Sequence, residues 1–182
     1  GMDFDFSWNC TGDESVLSRA GGRSFVDESR GPITSWEEFE RYPWPDPSRA
    51  ATDDLEWYEE HLPDDMCVLG GLIGHVAEEL IFLMGYETFC VALYEEPELV
   101  RAILGKVVES HERRLELLLQ FKRVRAVWGT DDMGFKTGTL VSPDHLRELV
   151  LPAHKELARR SHAAGRLYLL HSCGKLDQIM ED

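Results

Sequence analysis

The chain has 182 residues, 43% hydrophobic and 29% charged, which suits one soluble domain with a real core. Its 34 Asp and Glu outweigh 19 Lys and Arg, and a formal net charge of −15 repels phosphate backbones and anionic lipid. Nucleic-acid and membrane binding are therefore not expected, and no apolar run approaches the roughly 20 residues that span a bilayer.

Gly1-Met2 reads as a tag residue ahead of a native methionine, with neither the basic region nor the apolar core of a secretory signal. Residues 1–65 read as an irregular lead-in with short helices. Phe4, Phe6 and Trp8 alternate with polar residues, which suits a short exposed strand, and residues 21–31 read as a loop. Ser35-Trp36-Glu37-Glu38 fits a capping box, with Ser35 as the cap and Glu38 reaching back to it. Pro43, Pro45 and Pro47 end that helix, and Trp36, Tyr42 and Trp44 are expected to pack its corner. A second helix is predicted over 49–61.

Residues 66–182 have a different rhythm. A buried strand is predicted at Met66–Ile73, then helices at Val76–Met84, stopped by Gly85, and at Tyr86–Tyr94. Pro97 suits the first position of a long helix whose apolar residues Leu99, Ile103, Val107, Leu115 and Leu118 recur at helical spacing. A second strand follows at Val124–Trp128. Ser142 caps a helix with Pro143 first, Pro152 is expected to kink it midway, and Gly165 closes it. Leu167–Leu170 is the third strand, and Lys175–Asp182 is read as the start of another helix. Strands alternating with helical crossovers predict an α/β fold of about three parallel β/α units.

The four cysteines, Cys10, Cys67, Cys90 and Cys173, form no close-paired framework, which points to reduced thiols and a cytoplasmic protein. Cys67 and Cys90 lie in apolar stretches and are expected in the core.

Functional residues of parallel α/β folds gather at the C-terminal ends of the strands, and each of the three ends here carries polar groups. The first has His75, a helix-start or substrate-binding residue. The second has Asp131 and Asp132, which suit general-base, metal-ligand or acceptor roles; in the blander alternative one caps the turn and the other is solvated. Met133 and Phe135 in the same loop either wall a pocket or anchor the loop. The third end has His171-Ser172-Cys173-Gly174. Residues i and i+2 leave a strand on the same side, so an imidazole and a thiol stand together as half of a zinc site, or as a buried cysteine beside a backbone-bonded histidine. His111, His145, His154 and His162 are read as solvated helix residues. Glu95, Glu96 and Glu98 complement a helix N-terminus and need no functional account.

Taken in order, Asp131-Asp132-Met133-Gly134, Leu140-Val141-Ser142-Pro143, Leu151-Pro152-Ala153-His154-Lys155 and Leu170-His171-Ser172-Cys173-Gly174 resemble the uroporphyrinogen decarboxylase superfamily. Among its members the match looks closest to the cobamide-dependent methyltransferase branch, as do Trp44-Pro45-Asp46-Pro47 and the helix after Pro97. The resemblance covers roughly residues 30–182 and only the middle portion of a full-length member. It implies a (β/α)8 TIM barrel, here partial, in which His171 and Cys173 bind zinc that activates a thiol to accept methyl from a corrinoid on a partner protein. The third zinc ligand of that branch, a downstream cysteine, is missing from this chain, so water, a second chain or a nearby carboxylate would complete the tetrahedron. Asp131 and Asp132 would act on the substrate. Two alternatives stand beside this reading: a decarboxylase acting on a porphyrinogen, and a non-catalytic truncated domain that assembles with another chain. Three strands leave open edges and apolar faces, so a homodimer is expected.

Overall fold

The computed structural model describes residues 29–46 and 51–182, and the expectations at Phe4–Trp8, at most of 21–31, at Pro47 and at the helix start near Arg49 lie outside them. The lead-in helix α1 spans Trp36–Arg41, with Ser35 Oγ accepting the Glu38 N–H at 3.3 Å. The capping box is only half made. The Glu38 carboxylate turns one residue further back, to the Thr34 N–H (2.7 Å) and hydroxyl (2.8 Å), which hold its pKa below the ordinary value. Trp36, Phe39, Tyr42 and Trp44 pack edge-to-face, as expected at that corner. Helix α2 follows at Asp53–His61.

Three strands, β1 (Val68–Ile73), β2 (Val124–Thr130) and β3 (Leu167–His171), form one sheet in the order β1-β2-β3, and both pairings are parallel. Between β1 and β2 run α3 (Val76–Met84), α4 (Tyr86–Glu95) and α5 (Pro97–Leu118), with Pro97 in the first turn of α5 as predicted. All five expected apolar positions of α5 are buried. Among the described residues no helix is long and apolar enough to cross a membrane.

Between β2 and β3 the chain forms a short helix α6 (Pro143–His145), a π-helical turn (Leu146–Val150) and helix α7 (Leu151–Ala163). The break expected at Pro152 is this π turn. Proline has no N–H to give the preceding turn, and the Leu151 N–H reaches back five residues to the Leu146 carbonyl. The C-terminal segment differs from expectation: residues 177–181 form turns rather than a helix, with Ile179 N–H bonded to Leu176 O at 2.8 Å.

One sheet face packs on helices through Ile73, Val127 and Tyr168, which join Leu115, Leu118 and Leu157 in a core cluster. Register places Trp128 beside Leu169 and Ala126 beside Leu69 and Leu167 on the opposite face. That second face is open: Leu69, Trp128, Leu167 and Leu169 are 40–64% exposed. The cysteine expectation needs correction too. Cys67 precedes the β1 ladder and is exposed, and Cys90 on α4 is half-buried, with burial raising its thiol pKa.

Candidate metal centre at the strand ends

The two aspartates after β2 point opposite ways, because successive residues of extended chain do. Asp131 points inward and is fully buried. Its carboxylate accepts the Ala77 N–H (3.0 Å) and Glu78 N–H (3.0 Å), so it caps α3, whose own preceding residue His75 offers no side-chain cap. Negative charge at that helix end also complements the helix dipole. A third donor is His154 Nε2, 2.8 Å from Asp131 Oδ2. With Nε2 donating, His154 Nδ1 accepts from the Tyr168 hydroxyl at 3.1 Å. Burial, reinforced by the Asp131 charge, raises the Tyr168 pKa and keeps that hydroxyl protonated.

His154 is thus buried, contrary to the solvated reading, and so is His111. The signal was present in the spacing. His154 continues the stripe Val150, His154, Leu157, Ser161, and His111 follows Val107 by four residues. His111 Nδ1 accepts the Gly74 N–H at 3.2 Å, and its Nε2 lies 3.3 Å from Glu79 Oε1 without hydrogen-bond alignment. His162 is exposed and His145 half-buried, its ring edge-on to Tyr94.

Asp132 points the other way, toward the end of β3. One carboxylate oxygen of Asp132, one ring nitrogen of His171 and the Cys173 Sγ lie within 4.8 Å of one another. His171 Nε2 and Cys173 Sγ are 3.4 Å apart, already inside the roughly 3.3–3.8 Å edge of a tetrahedron with zinc bond lengths. The two strand ends are stitched together by Asp131 N–H to His171 O (3.0 Å), Met133 N–H to Ser172 Oγ (3.1 Å), Cys173 N–H to Asp132 Oδ1 (2.8 Å) and Lys175 N–H to Phe135 O (2.9 Å). This closeness requires glycine at Gly174, whose φ of +87° disfavours other residues and whose Cβ would enter the Gly134 carbonyl. A Cβ on Gly134 would in turn meet Cys173 O at 2.8 Å.

Cys173 and His171 are exposed, and Asp132 is half-buried. The hydrogen bond to Asp132, then some desolvation and the charges of Asp132 and Glu78, raise the Cys173 pKa above the ordinary thiol value. His75 stands at the same strand ends. Its ring contacts Thr130 Oγ1 (2.9 Å from Nε2) and Glu78 Oε2 (3.0 Å from Nδ1), and Thr130 pairs with His171 in the sheet. Burial lowers the His75 pKa, but the hydrogen bond and charge of Glu78, with Glu79 and Asp131 behind it, outweigh burial and raise it overall. Met133 is buried in the helical core and anchors the loop, whereas Phe135 is 64% exposed at the rim. A cleft of about 280 Å³ lined by Trp44, Lys106, Ser110 and Arg113 lies away from these residues.

A family model described as uroporphyrinogen decarboxylase (URO-D) matches residues 28–182. The chain belongs to the uroporphyrinogen decarboxylase family. No curated protein and no solved structure gave a significant match. Within this family the three parallel β/α units are a partial TIM-barrel-like fold, and His75, Asp132, His171 and Cys173 stand at the strand ends where such barrels carry their chemistry.

Proposed function

We propose that this family member is a zinc-dependent methyltransferase-like protein that moves methyl from a corrinoid, carried by a partner protein, to a small thiol in the reducing cytoplasm. The observation supporting it is the imidazole–thiol pair of His171 and Cys173, 3.4 Å apart and exposed at the end of β3. Nitrogen and sulfur together suit a borderline-soft dication better than a hard one. Bound there, zinc would supply Lewis acidity that lowers the pKa of an incoming thiol to the neutral range.

The remaining work falls to the chain itself. The bonds from Cys173 N–H to Asp132 and from Met133 N–H to Ser172 fix the two donors, and Asp131 fixes the α3 terminus beside them. His75, held basic by Glu78, is placed to take a proton or hold an anionic substrate group. Phe135 gives the substrate an apolar rim. The sister activity, porphyrinogen decarboxylation, uses a carboxylate to stabilise a protonated pyrrole ring. Asp131 is poorly suited to that role, because it is fully buried and already accepts from Ala77, Glu78 and His154. The test is elemental analysis of purified protein after zinc loading, followed by methyl transfer from methylcobalamin to a small thiol. Zinc bound at one per chain and lost in His171→Ala and Cys173→Ser supports the proposal; no binding at saturating zinc overturns it.

A second reading is favoured by the open sheet face. Leu69, Trp128, Leu167 and Leu169 form an apolar surface of the kind that protein interfaces cover. In this reading the chain is a domain completed by assembly, most simply as a two-fold homodimer burying more than roughly 2,000 Å² in total. Light scattering that shows a stable monomer at micromolar concentration would remove it, and association that survives Trp128→Lys would place the interface elsewhere.

A further inference from the structure

We infer that Asp132 is the third protein ligand of this centre, so that β2 and β3 alone supply a nitrogen, an oxygen and a sulfur donor. The inference rests on the zinc reading above and deepens it. From sequence, His171 and Cys173 stand together and a nearby carboxylate is one of several groups that would complete the set; Asp132 lies 39 and 41 residues before them. The sheet removes that separation. Thr130 pairs with His171 in the parallel register, so the residues two steps beyond each, Asp132 and Cys173, continue past the sheet side by side.

Four observations assign the role. The ligand atoms of Asp132, His171 and Cys173 lie within 4.8 Å of one another, so sub-ångström to ångström-scale adjustments bring them to tetrahedral spacing. Asp132 Oδ1 is held by the Cys173 N–H at 2.8 Å. A carboxylate held by a backbone amide is the supporting arrangement that orients ligating carboxylates, and its hydrogen bond with the Cys173 thiol keeps the oxygen and sulfur donors side by side. The neighbouring carboxylates have other engagements: Asp131 is buried on α3 and His154, and Glu78 is paired with His75 at 3.0 Å. Finally, Asp132 and a deprotonated Cys173 carry two negative charges, which neutralise a dication and leave one coordination position for a substrate thiol. The donor set is harder than one with two sulfurs, so this centre should release zinc to chelators more readily than a two-thiolate site would.

The experiment uses the whole 182-residue chain, with zinc and cobalt(II) as probes. Zinc affinity is measured by chelator competition, and the thiolate-to-cobalt charge-transfer band is recorded for wild type, Asp132→Asn, Asp132→Cys, His171→Ala and Cys173→Ser, with circular dichroism as the folding control. Asp132→Asn keeps the shape and an acceptor for the Cys173 N–H, so a loss of affinity in it reports ligation rather than folding. We expect at least about a 100-fold loss in Asp132→Asn, larger than the 10–100-fold usual for outer-shell changes. Asp132→Cys should restore binding and roughly double the charge-transfer intensity, because two sulfurs replace one. If Asp132→Asn binds zinc within threefold of wild type while His171→Ala and Cys173→Ser lose it, the inference is overturned and the His–Cys reading stands. If the wild type itself fails to bind, both fall.

Discussion

Replacing Asp131 with alanine tests whether the buried carboxylate organises the strand ends. The substitution removes the acceptor for three donors: the Ala77 and Glu78 amides at the start of α3, and His154 Nε2. Hydrogen bonds to a charged group contribute about 1.5–3 kcal/mol each, and a buried donor left unpaired costs about 1–3 kcal/mol. The loss is not a sum of three, because removing the carboxylate also removes its own desolvation penalty. A net destabilisation of about 3–5 kcal/mol follows, comparable to breaking a buried ion pair and a large share of typical domain stability. For a chain of this length that lowers the melting temperature by roughly 6–20 °C. Urea unfolding followed by tryptophan fluorescence would measure it. A double-mutant cycle with His154→Ala should show the two losses to be non-additive by about 1–3 kcal/mol, since either change removes the same contact. A loss below about 1 kcal/mol for Asp131→Ala would mean that water serves the three donors equally well, and the capping argument would be refuted.

Gly174→Ala forces a side chain into positive φ and into the Gly134 carbonyl, and should cost about 2 kcal/mol or more while loosening the proposed metal centre, seen as a lower melting temperature and, if the zinc proposal holds, weaker zinc binding. Glu78→Gln removes the largest contribution that raises the His75 pKa, so the His75 ring should titrate at lower pH by NMR; an unchanged midpoint contradicts the assignment. The sign is that of a raised folded-state pKa: charged His75 stabilises the fold below the ordinary histidine range, and this contribution disappears as pH rises through the folded value, a step that Glu78→Gln should shrink. Ser110→Ala removes a buried hydroxyl that has no partner among the described residues, so stability should be unchanged or rise by up to about 1 kcal/mol; a loss above about 1.5 kcal/mol would reveal a hydrogen bond there.

Local pattern alone determined most of the elements and the position of the candidate site. Pro97 and the Leu99–Leu118 stripe set α5, the apolar runs set β1 to β3, and the parallel order followed from the long crossovers between them. His171 and Cys173 were legible as a pair because strand periodicity is short-range and puts i and i+2 on one side. What depended on distant contacts was not legible. The roles of Asp131 and Asp132 are interchangeable in sequence; the fold separates them by placing the α3 N-terminus and His154 on one side of the chain and the end of β3 on the other. His154 and His111 carry the polarity of solvated helix residues, and only the tertiary structure supplies Asp131 and the Gly74 amide as the buried partners that offset the cost of burying them. The C-terminal turn likewise escaped prediction, since residues 175–182 answer to Phe135 and Arg147 rather than to helical periodicity. Helix and strand propensity act over a few residues, whereas a site is assembled by residues that the chain order keeps about 40 positions apart and only the sheet register brings together.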